Sequence, residues 1–477
     1  MSAALAIDDL HIAAGTLALV RGVSLAVDYG AALTILGDTG SGKTLVAEAA
    51  MGTLPAELSA RGRVGIAGRD FAAGPGAAQR ALWGRAIALL PQEPWLALDP
   101  TMRAAKQVAE VHRIVRGAAV AAAGDASARD LSALGLAAAG RKYPFQLSGG
   151  MAQRVALAAV HAGGAKILIA DEPTKGLDAD LRDDVVALLR GEVSRGAAVV
   201  TITHDIAVAR GLGGTVAVMR EGRIVEVGDA GAVLTAPTHD YTRRLLAADP
   251  AGWPEPPVRA AGPLVLAGRG LAKRLGGRTL FERLEIELRA GEAVAVTGPS
   301  GCGKTTLGNV LLGLLPADAG RIDRPGGHAP VRFQKIYQDP PAAFAPRATL
   351  RTSLDDVCRR HGIAWTTVAD LMERLRLAPT LLDRRPDQVS GGELQRVALA
   401  RVLALGPVFL FADEATSRLD PITQQEVLGV VRAAIARDGI SVLVVTHDRR
   451  LAAKVGSTVI SLDENGVAPA TQRTAAC

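Results

Sequence analysis

Two stretches of this sequence set a lysine and a hydroxyl directly behind a run of glycines: Gly37-Asp-Thr-Gly40-Ser41-Gly42-Lys43-Thr44 and Gly298-Pro-Ser-Gly301-Cys-Gly303-Lys304-Thr305. A glycine-rich loop that opens a helix turns successive backbone N–H groups toward one point. The unpaired amides of the helix start add positive potential there. Such a loop suits phosphate oxygens. In that chemistry Lys43 and Lys304 bridge the outer phosphates of a nucleoside triphosphate, and the hydroxyls of Thr44 and Thr305 bind Mg2+.

Further polar groups follow each loop in one order: Gln92, Ser148-Gly149-Gly150, Asp171-Glu172 and His204, then Gln338, Ser390-Gly391-Gly392, Asp413-Glu414 and His447. From each serine to its aspartate the gap is 23 residues, and from aspartate to histidine it is 33 or 34. KILIADE at 166–172 and VFLFADE at 408–414 are near-continuous apolar runs, the pattern of a buried parallel strand. Carboxylates at the carboxyl end of such a strand face the phosphate site. Asp171 and Asp413 are therefore expected to hold Mg2+ through its water shell, and Glu172 and Glu414 to polarise the attacking water. Each Ser-Gly-Gly precedes a helix-compatible run and forms a second anion site. His204 and His447 end β-branched runs, where a neutral imidazole reaches the γ-phosphate. Histidines 11, 112, 161, 239, 328 and 361 have no such setting and are read as structural or exposed.

The elements that must position these groups are written twice. AALTIL and EAVAVT precede the loops as strands, and LVAEAAMG and TLGNVLLG follow as helices. The expected fold class is α/β, one domain over 1–248 and another over 264–477. Residues 249–263, DPAGWPEPPVRAAGP, read as a proline-rich, semi-rigid linker. With 477 residues, 49% hydrophobic and 21% charged, the chain is long enough for two cores and is not a disordered one. Lys+Arg 54 against Asp+Glu 48 is a weak, dispersed excess that does not argue for nucleic acid. Aromatics are 3%, so base stacking is no dominant device. No run approaches the roughly 18 apolar residues of a membrane span, and the N-terminus lacks the basic region of a secretory signal, so no direct membrane insertion is expected. Three cysteines without metal-ligand spacing point to a reducing compartment.

Phosphate loop, glutamine, Ser-Gly-Gly, acidic strand end and histidine, twice in that order, resemble the ATP-binding cassette (ABC) ATPases. The resemblance covers nearly the whole chain. It implies two tandem P-loop NTPase domains, each with a RecA-like core, an antiparallel β subdomain and a helical signature subdomain, and it implies ATP and Mg2+ as cofactors. It also implies head-to-tail pairing: Lys43 shares one ATP with Ser390, Gly391 and Gly392, and Lys304 shares another with Ser148, Gly149 and Gly150. Asp178 and Asp420 match the loop that links the two sites. Gln92 and Gln338 connect the metal site to the helical subdomain. Both catalytic glutamates and both signatures are present, so two competent sites are expected.

Finer resemblance, in YPFQLSGGMAQRV, PQEPWLALDP, VLTAPTHDYTRRLL and DEATSRLDPITQ, is to the ATPases of peptide, opine and nickel importers. It implies two separate transmembrane permease subunits, an extracytoplasmic solute-binding protein beyond them, and a peripheral place on the cytoplasmic face of the inner membrane. The alternative is a soluble twin-cassette ATPase acting in translation, which normally carries a long charged linker between cassettes. DNA-repair cassettes carry long heptad inserts for which the gaps leave no room. The chain departs from the family near Ala14 and Leu275, where no aromatic stands to stack on adenine. Its second copy lacks the PTHDYTRRLL tail, and its linker lacks the cysteines of an iron–sulfur centre.

Overall fold

The computed structural model describes residues 3–74, 77–92, 97–175, 177, 179–256, 262–299, 301–416, 419–463, 466–467 and 471–472. Asp178 and the stretch 257–261 lie outside the described residues. The chain divides into two compact units, Met1–Ala247 and Ala248–Cys477.

In the first unit β1 (Leu5–Ala14), β2 (Leu17–Val27), β3 (Ala32–Leu36), β4 (Leu58–Ile66), β5 (Arg69–Ala72), β6 (Ile87–Leu90), β7 (Ile167–Asp171), β8 (Ala198–Thr203), β9 (Thr215–Arg220) and β10 (Arg223–Asp229) build two sheets. One is antiparallel in the order β2-β1-β4-β5. The other runs β10-β9-β3-β8-β7-β6 and is parallel except at its β10 edge. The sequence explains the difference. ALTIL, ILIAD and AVVTIT, the strands β3, β7 and β8, are buried at every position, as strands covered on both faces must be. Along β2 buried and exposed positions alternate instead, one face to the core and one to water.

Alternation along the central strands separates two cores. Ile167 and Ile169 of β7 join Leu33 and Ile35 of β3 in a core shared with β1, β2 and the helix Lys43–Met51. Leu168 and Ala170 face the other way, into a core built with the helices Ala104–Ile114, Val120–Ala133 and Gly149–Gly163. The first core fixes the helix behind the phosphate loop; the second fixes the helix that Ser148 opens.

The second unit repeats the plan with β11 (Leu264–Leu275), β12 (Arg278–Arg289), β13 (Ala293–Thr297), β14 (Ala319–Asp323), β15 (Phe333–Ile336), β16 (Phe409–Asp413), β17 (Ser441–Val445), β18 (Thr458–Asp463), β19 (Gly466–Val467) and β20 (Thr471–Gln472). Its antiparallel sheet is β12-β11-β14, and its larger sheet is β15-β16-β17-β13-β18-β19 with β20 also paired to β18. Its helices include Lys304–Leu312 behind the second loop, Leu350–His361, Trp365–Arg374, Gly391–Ala404, Pro421–Asp438 and Arg449–Val455. The segment expected as linker is not free at its start: Trp253 is buried in the core of the second unit under the Arg432 guanidinium, and Glu255 pairs with Lys454 at 2.7 Å.

One packing contact separates the copies. A Cβ added at Gly308 would stand 2.1 Å from the Phe411 ring, whereas the matching positions of the first unit hold Ala47 and Ile169. A large ring on the strand thus requires a bare backbone on the helix. Gly308→Ala is expected to destabilise the second unit by about 1–3 kcal/mol through overpacking, and adding Phe411→Ile should recover most of it. Urea unfolding of the single and double variants checks this; equal midpoints for Gly308→Ala and the parent would contradict the packing argument.

Candidate functional site

The larger sheet of the first unit sets β3, β8, β7 and β6 side by side, so their carboxyl ends release the phosphate loop, His204, Asp171-Glu172 and Gln92 along one edge. In the second unit β13, β17, β16 and β15 do the same for the second loop, His447, Asp413-Glu414 and Gln338. Adjacent parallel strands are what bring residues more than a hundred positions apart to one crevice.

Each loop is held by close backbone approach. A Cβ at Gly37 would lie 2.1 Å from the Met219 carbonyl oxygen, and one at Gly298 would lie 2.1 Å from that of Leu462. Gly42 and Gly303 start their helices at φ 98° and 105°, where a side chain is strained. The buried Lys43 Nζ donates to the carbonyls of Gly37 at 2.7 Å and Asp38 at 2.6 Å, and to Ser41 Oγ at 3.4 Å. Lys304 Nζ donates likewise to Gly298 at 2.8 Å and Pro299 at 2.9 Å. Both ammonium groups thus sit curled inside the loop that would wrap a phosphate. In the first unit the Asp38 N–H also donates to Tyr241 Oη at 3.1 Å, so the PTHDYTRRLL segment braces that loop.

The acidic pairs sit at the strand ends. Asp171 and Asp413 are buried, and Glu172 and Glu414 take left-handed backbone at φ 47° and 46°. That conformation costs about 1–3 kcal/mol in a residue other than glycine, and it recurs at the same place in both units. The Glu172 N–H donates to the Ile202 carbonyl at 2.8 Å and the Glu414 N–H to that of Val445 at 3.1 Å, which pins the turn. Burial, the largest influence, pushes the Asp171 carboxyl up to about 6; Thr44 and Lys43 oppose it, and the charges of Glu172 and Glu48 assist it. Asp171 Oδ1 is buried without a hydrogen-bond partner. In the second unit Thr305 Oγ1 donates to Asp413 Oδ1 at 2.8 Å, and Lys335 Nζ lies 2.9 Å from Oδ2.

His204 Nδ1 is 2.8 Å from Glu172 Oε1, and Thr203 Oγ1 donates to Oε2 at 3.3 Å. Burial works to raise the Glu172 carboxyl, but the charge and hydrogen bond of His204, with Lys43 and Thr203, outweigh it and hold the group below the ordinary glutamate value. Burial likewise works against charge on His204, and Glu172 more than offsets it, so its pKa lies above the ordinary histidine value. The Glu172 carboxylate thus favours the protonated form of the ring, the direction opposite to the expected neutral imidazole. In the second unit His447 Nδ1 is 3.7 Å from Glu414 Oε2, and the neighbouring His447 imidazole is the main cause that lowers the Glu414 carboxyl. Gln338 Nε2 donates to Glu414 Oε2 at 2.9 Å. Gln92 is half-buried at the matching strand end.

Ser148 and Ser390 cap the helices Gly149–Gly163 and Gly391–Ala404, accepting from the N–H of Met151 and Glu393, both at 3.3 Å. Gly149 and Gly391 are exposed. The start at Ser148 carries no carboxylate cap, whereas at Ser390 the Glu393 carboxylate accepts from the Ser390 N–H at 2.9 Å and from its hydroxyl at 2.7 Å, a bond that an arriving phosphate must displace. Asp420 caps the helix Pro421–Asp438, its Oδ1 accepting from the Thr423 N–H at 2.9 Å. The sequence reading missed Thr203, Lys335 and Asn309. Laying one copy on the other would have found the last two, since their counterparts are Leu89 and Glu48.

The family model described as ABC transporter matches residues 20–175 and 281–417. The peptidoglycan transport ATP-binding protein YejF of Agrobacterium fabrum (strain C58) is 33% identical over 490 residues, covering 94% of this chain and 88% of its own. The glutathione import ATP-binding protein GsiA of Escherichia coli (strain K12) is 33% identical over 527 residues, covering 95% of this chain and 84% of its own. Among solved structures, the archaeal ribosome recycling factor aABCE1 in complex with ribosomal stalk protein aP1 superposes with a TM-score of 0.69 at 20% identity, covering 95% of this chain and 87% of that one. The RNase-L inhibitor superposes with a TM-score of 0.64 at 21% identity, over 95% and 87%. At such identity the structural likeness speaks for a shared tandem-cassette fold alone. Two phosphate loops in two register-matched units, together with these relatives, place the chain in the ABC transporter family, as an ATP-binding ATPase with two cassettes in one polypeptide.

Proposed function

We propose that this ATPase is the energy-coupling subunit of a solute importer, working with two permease subunits and a solute-binding protein at the cytoplasmic face of the membrane. The observation that carries the reading is the duplication of a whole site: phosphate loop, acidic pair, histidine, glutamine and capped Ser-Gly-Gly helix recur in both units. Relatives named for peptidoglycan and glutathione, both peptide-containing, support a peptide-like cargo.

Each ATP is held by the phosphate loop of one unit and the Ser-Gly-Gly helix start of the other, Lys43 with Ser390 to Gly392 and Lys304 with Ser148 to Gly150. Joining the units in one chain turns their encounter into a tethered event. Charge on the triphosphate is then met from both sides, so binding draws the units together and hydrolysis releases them.

The oxygen donors of Thr44, Asp171 and Gln92, and of Thr305, Asp413 and Gln338, suit Mg2+, and the orphaned Asp171 Oδ1 is an atom that a cation satisfies. When bound, Mg2+ supplies charge neutralisation at the phosphate oxygens. Lys43 and Lys304 leave their loop carbonyls for the β and γ phosphates. Glu172 and Glu414, ionised at neutral pH, orient the attacking water and accept its proton. His204 spends Nδ1 on Glu172 and turns Nε2 to the γ-phosphate, so one imidazole fixes the base and senses the nucleotide. Exposed leucines at the hairpin tips, Leu17 and Leu275, offer the base an apolar contact in place of an aromatic.

Purification of the full chain from membranes tests the role. We expect it to co-purify with two polytopic subunits, and its ATPase to rise at least several-fold when it is reconstituted with them, the binding protein and a peptide ligand. Co-sedimentation with ribosomes and indifference to the membrane subunits would instead support the translation reading.

A further inference from the structure

The two sites differ around the metal-facing aspartate. In the second unit both oxygens of Asp413 are engaged by the protein: Oδ1 by the Thr305 hydroxyl at 2.8 Å and Oδ2 by Lys335 Nζ at 2.9 Å. That ion pair is dry, its side chains 10% and 6% exposed. Lys335 is fixed from several directions. Its ammonium donates to Asn309 Oδ1 at 3.0 Å and lies 4.9 Å from the centre of the Phe411 ring and 5.2 Å from that of Tyr337. In the first unit the strand position matching Lys335 is Leu89, by the same parallel register: Lys335 pairs with Phe411, Leu89 with Ile169, each two residues before its aspartate. The helix position matching Asn309 is Glu48. One site therefore adds a cation beside its aspartate where the other adds a carboxylate, and in the first Asp171 Oδ1 is left unpartnered.

A lysine on the aspartate engages an oxygen that a divalent cation's water shell would otherwise use, and a cation held by Asp413 would meet that like charge in surroundings of low dielectric. A triphosphate bound at Lys304 would meanwhile meet a second ammonium in the same site, that of Lys335. Around Asp171 the balance differs: the charges of Glu172 and Glu48 bear on it against Lys43 and the Thr44 hydroxyl, and the strand position of Lys335 holds the uncharged Leu89.

Resting on the nucleotide-site reading above, we infer that Lys335 is a positioning residue that makes the nucleotide site of Lys304 much less dependent on a divalent cation than the site of Lys43. The first site is the metal-demanding one; the second retains nucleotide with or without the metal.

Equilibrium binding of a fluorescent ATP analogue to the full chain tests this, with each site read alone in a Lys43→Ala or Lys304→Ala background. The measured quantity is the ratio of Kd in EDTA to Kd in Mg2+. That ratio is expected to be at least tenfold smaller at the second site than at the first. Lys335→Leu should raise it toward the first site's value. The reciprocal Leu89→Lys should lower it at the first site, which keeps the test open should Lys335→Leu fold poorly. Equal ratios at the two sites, unmoved by either substitution, would overturn the inference while leaving the nucleotide reading intact. Absence of nucleotide binding at both sites would overturn both.

Discussion

Replacing Glu172 and Glu414 together by glutamine is expected to lower kcat for ATP hydrolysis by about 10²- to 10⁴-fold while ATP still binds. The change is nearly isosteric. It keeps an oxygen that can accept from a neighbour but removes the charge and the basicity that draw a proton from water. Backbone geometry is not at risk, because the N–H groups of Glu172 and Glu414 stay bonded to Ile202 and Val445 whatever the side chain. Both carboxyls lie below the ordinary glutamate value through their histidines, so the ionised base is ready at neutral pH, and glutamine has no such form. Phosphate release against retained ATP on a filter separates chemistry from binding. A double variant that turns over within about twofold of the parent would remove both glutamates from the chemistry.

Much of this site was legible from residue types. Continuous apolar runs ending in two acids marked β7 and β16, and glycine spacing marked both loops, because these signals are local and each has a backbone reason. What escaped was non-local. Lys335 reaches Asp413 only because β15 lies beside β16 in parallel register, and a lysine in FQKI reads in isolation as a solvent-facing residue on an edge strand. Phe411 and Gly308 likewise explain each other only once the helix rests on the strand. Trp253 shows the same limit at the expected linker: prolines on either side suggest an extended spacer, yet the indole goes into the core of the second unit beneath Arg432. The upward shift of His204 comes from a carboxylate 32 positions away in sequence and 2.8 Å away in space.

The proposed sharing of each ATP between units predicts the other large effect. Losing the ammonium of Lys43 removes charge-assisted bonds to phosphate worth about 1.5–3 kcal/mol, or roughly 10- to 100-fold in affinity. On the signature side, a Cβ at Gly149 or Gly391 meets nothing within 4 Å, and neither residue has positive φ, so Gly149→Asp and Gly391→Asp fit without disturbing the fold. A carboxylate at a helix start is favourable for the helix itself, yet it repels an arriving phosphate. Lys43→Ala with Gly391→Asp therefore strikes one proposed site twice, whereas Lys43→Ala with Gly149→Asp strikes both sites once.

The deciding measurement is the amount of ATP held per full-length chain at equilibrium in these two double variants. With shared sites, about one ATP is expected to remain in Lys43→Ala/Gly391→Asp and almost none in Lys43→Ala/Gly149→Asp. The opposite pairing, with nucleotide kept by Lys43→Ala/Gly149→Asp and lost from Lys43→Ala/Gly391→Asp, would mean that each unit closes on its own ATP and would contradict the shared site.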